Sequence, residues 1–138
     1  MTTVNIEIEK VAIKSTLENY ITSVENADMT LYARIMAHDE DMVIFGAGAG
    51  DHIVGWSALK AVMEAQNAAL SGIKIAADDV TIHVSPEGQF AWATSLWDFK
   101  AIMGEMAIEM PVRCSWLLEK QEACWVIVHF HKSVGMVG

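Results

Sequence analysis

The sequence predicts an α+β fold in which three N-terminal helices pack on a strongly curved antiparallel sheet and leave an interior pocket. Helical periodicity is confined to the first half of the chain, whereas the second half carries four long strand candidates. The separators between those strands are short, which implies antiparallel hairpins, because a parallel crossover needs about a dozen residues or more. Helices first and strands afterwards is the order of an α+β domain rather than an alternating α/β one. Strands well beyond the usual five or six residues (roughly) must twist and curl, and helices covering the concave side then leave a pocket.

Taken in order, Ile13, Leu17, Tyr20, Ile21 and Val24 recur at helical spacing. Asn26-Ala27-Asp28 breaks that pattern, and Asp28 is placed to cap a short second helix carrying Leu31, Ile35 and Met36. His38-Asp39-Glu40-Asp41 reads as a polar turn before a strand at 42–45. Gly46, Gly48 and Gly50 follow. A glycine run after a strand suggests a phosphate loop, but a Gly-Lys-Ser/Thr ending or the dinucleotide spacing is needed for one, and the run ends instead in Asp51-His52. It is expected to be a turn or bulge. A third helix begins near Gly55-Trp56-Ser57 and runs to about Leu70, with Leu59, Val62, Met63 and Gln66 on one face, until Ser71-Gly72 stops it. Strands are expected at 73–84, 90–101, 105–119 and 125–133, separated by turns rich in Gly, Pro and polar residues.

The 138 residues suit one domain over 1–138, and a composition of 53% hydrophobic and 20% charged residues argues against disorder. The formal net charge is −9, and the nine Lys and Arg form no cluster. A phosphate backbone or an anionic lipid surface would be repelled, so neither nucleic acid nor membrane is an expected partner. Residues 1–10 lack the basic and apolar regions of a signal peptide, and no run of apolar residues is long enough to span a bilayer; a cytoplasmic location is expected. Cys114 and Cys124 are too few for a disulfide framework.

The last third of the chain, from Arg113-Cys-Ser-Trp116 through Trp125-Val-Ile-Val-His129 to Ser133, resembles the terminal hairpin of SnoaL-like domains, members of the nuclear transport factor 2-like superfamily. Val128-His-Phe-His-Lys-Ser133 is also similar to the end of the association domain of calcium/calmodulin-dependent protein kinase II. Asn26-Ala-Asp28, Gly55-Trp56 and Ala91-Trp-Ala-Thr-Ser-Leu-Trp97 support the match, whereas Ala123 stands where the family usually has a turn glycine. The resemblance implies a cystatin-like cone of helices on a curved sheet, commonly dimeric through the sheet face. It does not imply a function, since isomerases, hydratases, cyclases, transport factors and assembly domains share the fold. Ketosteroid isomerase chemistry pairs a carboxylate base with a Tyr and a protonated Asp. Tyr20 falls where the phenol would lie, but the positions near Phe45 and near Ser115 or Trp116 carry no carboxylate. That chemistry is not expected, and Tyr20 reads as a core or pocket-lining residue.

Several residues remain as candidates. Asp98, between Trp97 and Phe99, either titrates in an apolar pocket as an acid or base or faces solvent beside a Lys. Arg113 shares a strand face with Ser115 and can either clamp a carboxylate ligand or pair on the outer sheet face. His129 and His131 also share a face, roughly 7 Å apart, but no third ligand is signalled, so neither a metal nor a cofactor is expected. Lys132 lies on the opposite face with Val128 and Phe130, and the similar position of the kinase domain is a pocket arginine, which makes Lys132 a candidate anchor for an anionic ligand. Trp92 and Trp97 must point to opposite faces; with Trp56, one set lines the pocket and the other covers an outer face that a second copy of the chain would bury. Three functional classes stand: a binding domain for an apolar or weakly anionic polycyclic or aromatic molecule; a proton-transfer enzyme of the isomerase, cyclase or hydratase kind using Asp98, Tyr20 or a histidine; and an oligomeric assembly module.

Overall fold

The helical layer starts at Asn5, whose side-chain oxygen accepts hydrogen bonds from the backbone of Glu7 and Ile8 at 3.1 and 3.2 Å. It caps α1 (Ile6–Glu25). The computed structural model describes residues 4–135. α1 begins seven residues before the first periodic apolar position, Ile13, because the Ile6-Glu7-Ile8-Glu9 alternation hides a helical start. Asp28 caps α2 (Met29–Ile35) by accepting from the Leu31 backbone at 3.0 Å, as its position implied. β1 (Val43–Phe45) and β2 (His52–Val54) form a hairpin, and α3 (Trp56–Ala69) leads into β3 (Leu70–Val84), β4 (Phe90–Met103), β5 (Met106–Gln121) and β6 (Cys124–Ser133). Among the described residues, no helix is long and apolar enough to cross a membrane.

The six strands lie in the order β2-β1-β6-β5-β4-β3. The sheet is mixed, a correction to the antiparallel expectation: β3 to β6 form an antiparallel meander, but β1 runs parallel to β6, with Phe45 opposite His131. In sequence β1 and β6 are separated by β2, α3 and the rest of the meander, so no local turn length could reveal the pairing. β2 lies between the glycine turn and α3, where the sequence signals no strand. The turn itself is closed by Asp51, whose carboxylate accepts from the Gly48 backbone at 2.8 Å while its carbonyl accepts from Gly46. The Gly48 N–H that a phosphate would need is thus occupied. Gly55 enters α3 at φ 88°, and a Cβ there would lie 2.7 Å from the Glu40 carbonyl oxygen.

Alternation puts Ala91, Ala93, Ser95, Trp97, Phe99 and Ala101 of β4 under the helices, and Val112, Cys114, Trp116 and Leu118 of β5 beside them. β6 departs from strict alternation. Leu117 pairs with His129 but Leu118 with Ile127, so one extra residue is inserted near Val128. This bulge lets Trp125 and Ile127 on one side of it, and Phe130 and Lys132 on the other, face the same interior. At the opposite end, the Glu9 carboxylate accepts from Lys120 Nζ at 2.8 Å and Trp125 Nε1 at 2.7 Å, joining α1 to the β5–β6 hairpin.

Two outcomes follow from this arrangement. Hydrogen bonding from Lys120, and secondarily from Trp125 and the Lys120 charge, holds the Glu9 carboxyl below its ordinary value against the opposing effect of burial. A depressed folded pKa stabilises above the unfolded value, near 4.5, and the contribution is lost as pH falls through the folded one. Glu9→Gln should therefore lower stability by about 2 kcal/mol at pH 7, and chemical denaturation should show the difference shrinking below pH 4.5. Glu122 and Ala123 turn the last hairpin with φ of 50° and 66°. Left-handed backbone is unfavourable for Ala, so Ala123→Gly should raise stability by about 1 kcal/mol in the same assay.

Candidate ligand-binding site

Curling of the sheet separates its inner face from α3 at one end and leaves a cavity of about 250 Å³. Trp97 and Phe99 of β4, Met110 and Val112 of β5, and Leu59 and Met63 of α3 form its apolar walls. The β1–β2 turn lies at its edge with Asp51, whose carboxylate is held by Gly48. Among the described residues, Asp51, Gln66 and Lys132 bring amide or charged side chains to the lining.

Lys132 is placed there by the β6 bulge together with Phe130. Its Nζ donates to Tyr20 Oη at 2.5 Å and lies 4.7 Å from the Tyr20 ring centroid and 4.8 Å from those of Trp97 and Phe130. Such contacts stabilise a cation, yet among the described residues no carboxylate lies within 4 Å of it; Glu7, Asp98 and Glu9 pair with Lys10, Lys100 and Lys120. The side chain keeps some surface, while its ammonium is desolvated between the rings. Burial therefore lowers the pKa of Lys132 to about 8. Cys114, directly across the β5–β6 ladder, is pushed up to about 12 by burial. Burial likewise raises Tyr20 well above the usual phenol value.

Tyr20, fully buried on α1, lies behind Lys132 rather than on the cavity lining. Its ring packs on Tyr32, Trp97, Trp116 and Phe130 with centroids 5.5 to 6.0 Å apart. It positions the amine. Trp97 lines the cavity, whereas Trp92 is exposed on the other face, the opposition that the spacing of five required.

The other candidates lie elsewhere. Asp98 is exposed on the outer face, 3.8 Å from Lys100, which is the solvent-facing alternative. Arg113 and Ser115 share that face, and Arg113 Nε donates to Ser133 Oγ at 3.2 Å. All three have the opposite parity to Trp97 or Val112 in their own strands, so none can reach the cavity. Trp56 stacks on His38 at 4.3 Å over the start of α3, also off the lining. His129 Nδ1 is hydrogen-bonded to the Val43 carbonyl, and His131 packs against Phe45. The residues that pattern reading missed are the wall formed by Phe99, Met110 and Phe130; they look like ordinary core positions until the bulge and the depth of the curl are known.

The buried amine makes a pH-dependent prediction. A lysine whose folded pKa is lowered gives up its proton in the folded chain first, so stability rises with pH between about 8 and 10.5. The raised pKa values of Cys114 and Tyr20 act in the opposite sense above about pH 9, in wild type and variant alike, so the comparison with a lysine-free variant isolates Lys132. Relative to Lys132→Met, the wild-type chain should gain stability across that window in denaturant titrations, by an amount on the order of 2 kcal/mol.

Residues 13–137 match the family model of the SnoaL-like domain. No curated protein matches. Among solved structures, a nuclear transport factor 2-like superfamily protein from Salmonella enterica serovar Typhimurium is 23% identical, with 97% of this chain and 96% of that one covered and a TM-score of 0.86. A candidate dehydratase of the same superfamily from Streptomyces avermitilis is 12% identical over 95% and 99% of the two chains, with a TM-score of 0.82. A candidate calcium/calmodulin dependent protein kinase II association domain from Xanthomonas campestris is 13% identical over 89% and 85%, with a TM-score of 0.75. At these identities the likeness is one of fold, as the terminal hairpin suggested. The match over residues 13–137 places the chain in the SnoaL-like domain family.

Proposed function

We propose that the protein binds a compact aromatic molecule bearing a carboxylate or similarly anionic oxygen, with the ring in the cavity and the oxygen on Lys132. The observation that carries this reading is a lysine on the wall of an apolar cavity whose ammonium has no carboxylate within 4 Å among the described residues. A charge left unpaired in such surroundings is costly, and an anionic ligand would supply the missing partner. Volume supports a small ring system. A dry cavity of about 150 Å³ accepts benzene and drug-sized pockets start near 300 Å³, so 250 Å³ suits one or two rings better than a four-ring polycycle.

2-Naphthoate should stabilise the protein saturably in thermal-shift and calorimetric titrations. Lys132→Met should weaken that binding by roughly 10- to 100-fold, the loss of one charge-assisted hydrogen bond. A panel of benzoates, naphthoates and steroid acids giving no saturable binding would contradict the reading.

The chain is also proposed to form a homodimer through its outer sheet face. Phe90, Trp92, Leu96 and Leu117 are each about half exposed there, and Asp98, Lys100 and Arg113 supply both signs of charge on the same surface. A two-fold contact can set such charges against one another. Light scattering should give twice the chain mass, and Trp92→Glu should reduce it to one chain; a wild-type monomer at micromolar concentration would exclude the dimer.

A further inference from the structure

We propose that Lys132 is a carbonyl-reactive lysine whose Nζ condenses reversibly with a small aromatic aldehyde or ketone seated in the cavity. This rests on the reading of the cavity as a ligand site and adds a covalent activity to it. Imine formation needs a free amine, a dry surrounding that protects the product, and room for the carbonyl carbon beside the nitrogen. Lys132 meets the three. It lines the cavity between Trp97 and Phe130 and has no carboxylate within 4 Å among the described residues. Its Nζ is held by a hydrogen bond with Tyr20 Oη, which fixes the nitrogen at the cavity wall.

The step balances without an oxidant or reductant. The Nζ lone pair attacks the carbonyl carbon, a C–N bond forms, and the oxygen takes up a proton to give a carbinolamine. The C–O bond then breaks and water leaves, carrying the carbonyl oxygen and the two protons of the neutral amine. Tyr20 is a positioning residue, since it holds the nitrogen from behind and does not line the cavity. The titratable groups facing Lys132 are Tyr20 from α1, Cys114 from β5 and Asp51 from the β1–β2 turn; α3 and β4 bring none to the lining. With a pKa near 8, about half of the amine is free at pH 8, against under about 1% for an ordinary lysine.

The test is reductive trapping on the wild-type protein. The protein is incubated with 2-naphthaldehyde and sodium cyanoborohydride at pH 8, and adducts are mapped by peptide mass spectrometry. The expected result is an adduct on Lys132 that forms at least tenfold faster than on exposed Lys100, saturates with aldehyde concentration and is suppressed by 2-naphthoate. Labelling no faster at Lys132 than at Lys100, in protein that still binds 2-naphthoate, overturns the imine and leaves the anchoring role intact. Fast, saturable labelling of Lys132 in protein that does not bind 2-naphthoate supports the imine and removes the carboxylate reading. Because the comparison is made among lysines of one folded chain, it does not depend on a variant that folds.

Discussion

Tyr20 is where the helical layer and the sheet are locked together. Its ring touches four aromatic side chains drawn from α2, β4, β5 and β6, and its hydroxyl holds the Lys132 amine. A phenol with an apolar body and a polar tip suits such a position, because it can fill the core while giving a buried amine its hydrogen bond. A Phe would pack as well but would leave Nζ without an acceptor, and a buried donor left unsatisfied costs about 1–3 kcal/mol. The cavity therefore inherits its chemistry from a contact made just outside it.

The sheet supplies the other half of the arrangement. Along β4 the alternation is unbroken from Ala91 to Ala101, which builds a continuous apolar floor. In β6 the bulge near Val128 resets the alternation, so that Phe130 and Lys132 face inward although Trp125 and Ile127 already do. Without that inserted residue Lys132 would project outward on the same face as Arg113. A local irregularity in one strand thus decides whether this pocket carries a cation. The helix α3 and the Asp51-closed turn then bound the space at about 250 Å³.

Much of this could be read from the amino-acid order. The helix-then-strand sequence, the Asp28 cap, the opposition of Trp92 and Trp97 and the parity of Lys132 with Phe130 all depend on local rules, and the structure bears them out. The parallel pairing of β1 with β6 could not be read, because it joins segments separated by α3 and the whole meander. Nor could the bulge, since nothing at Val128 differs from an ordinary strand residue. The facing of Asp98, Arg113 and Ser115 was open for a related reason. Alternation shows which residues share a face but not which face is covered, and here the covered set is that of Trp97, Val112 and Trp116. A long charged side chain in an apolar strand suggested a site, whereas the structure places it on a wide outer surface.

The central claim is that a lysine with no carboxylate within 4 Å among the described residues is desolvated beside the cavity, and the ionisation of Lys132 reports on it directly. Nuclear magnetic resonance titration of the lysine side-chain carbons, assigned by comparison with Lys132→Met, should show Lys132 titrating near pH 8. A Lys132 that titrates near 10.5, the ordinary lysine value, would mean that the ammonium is solvated, and would contradict the account.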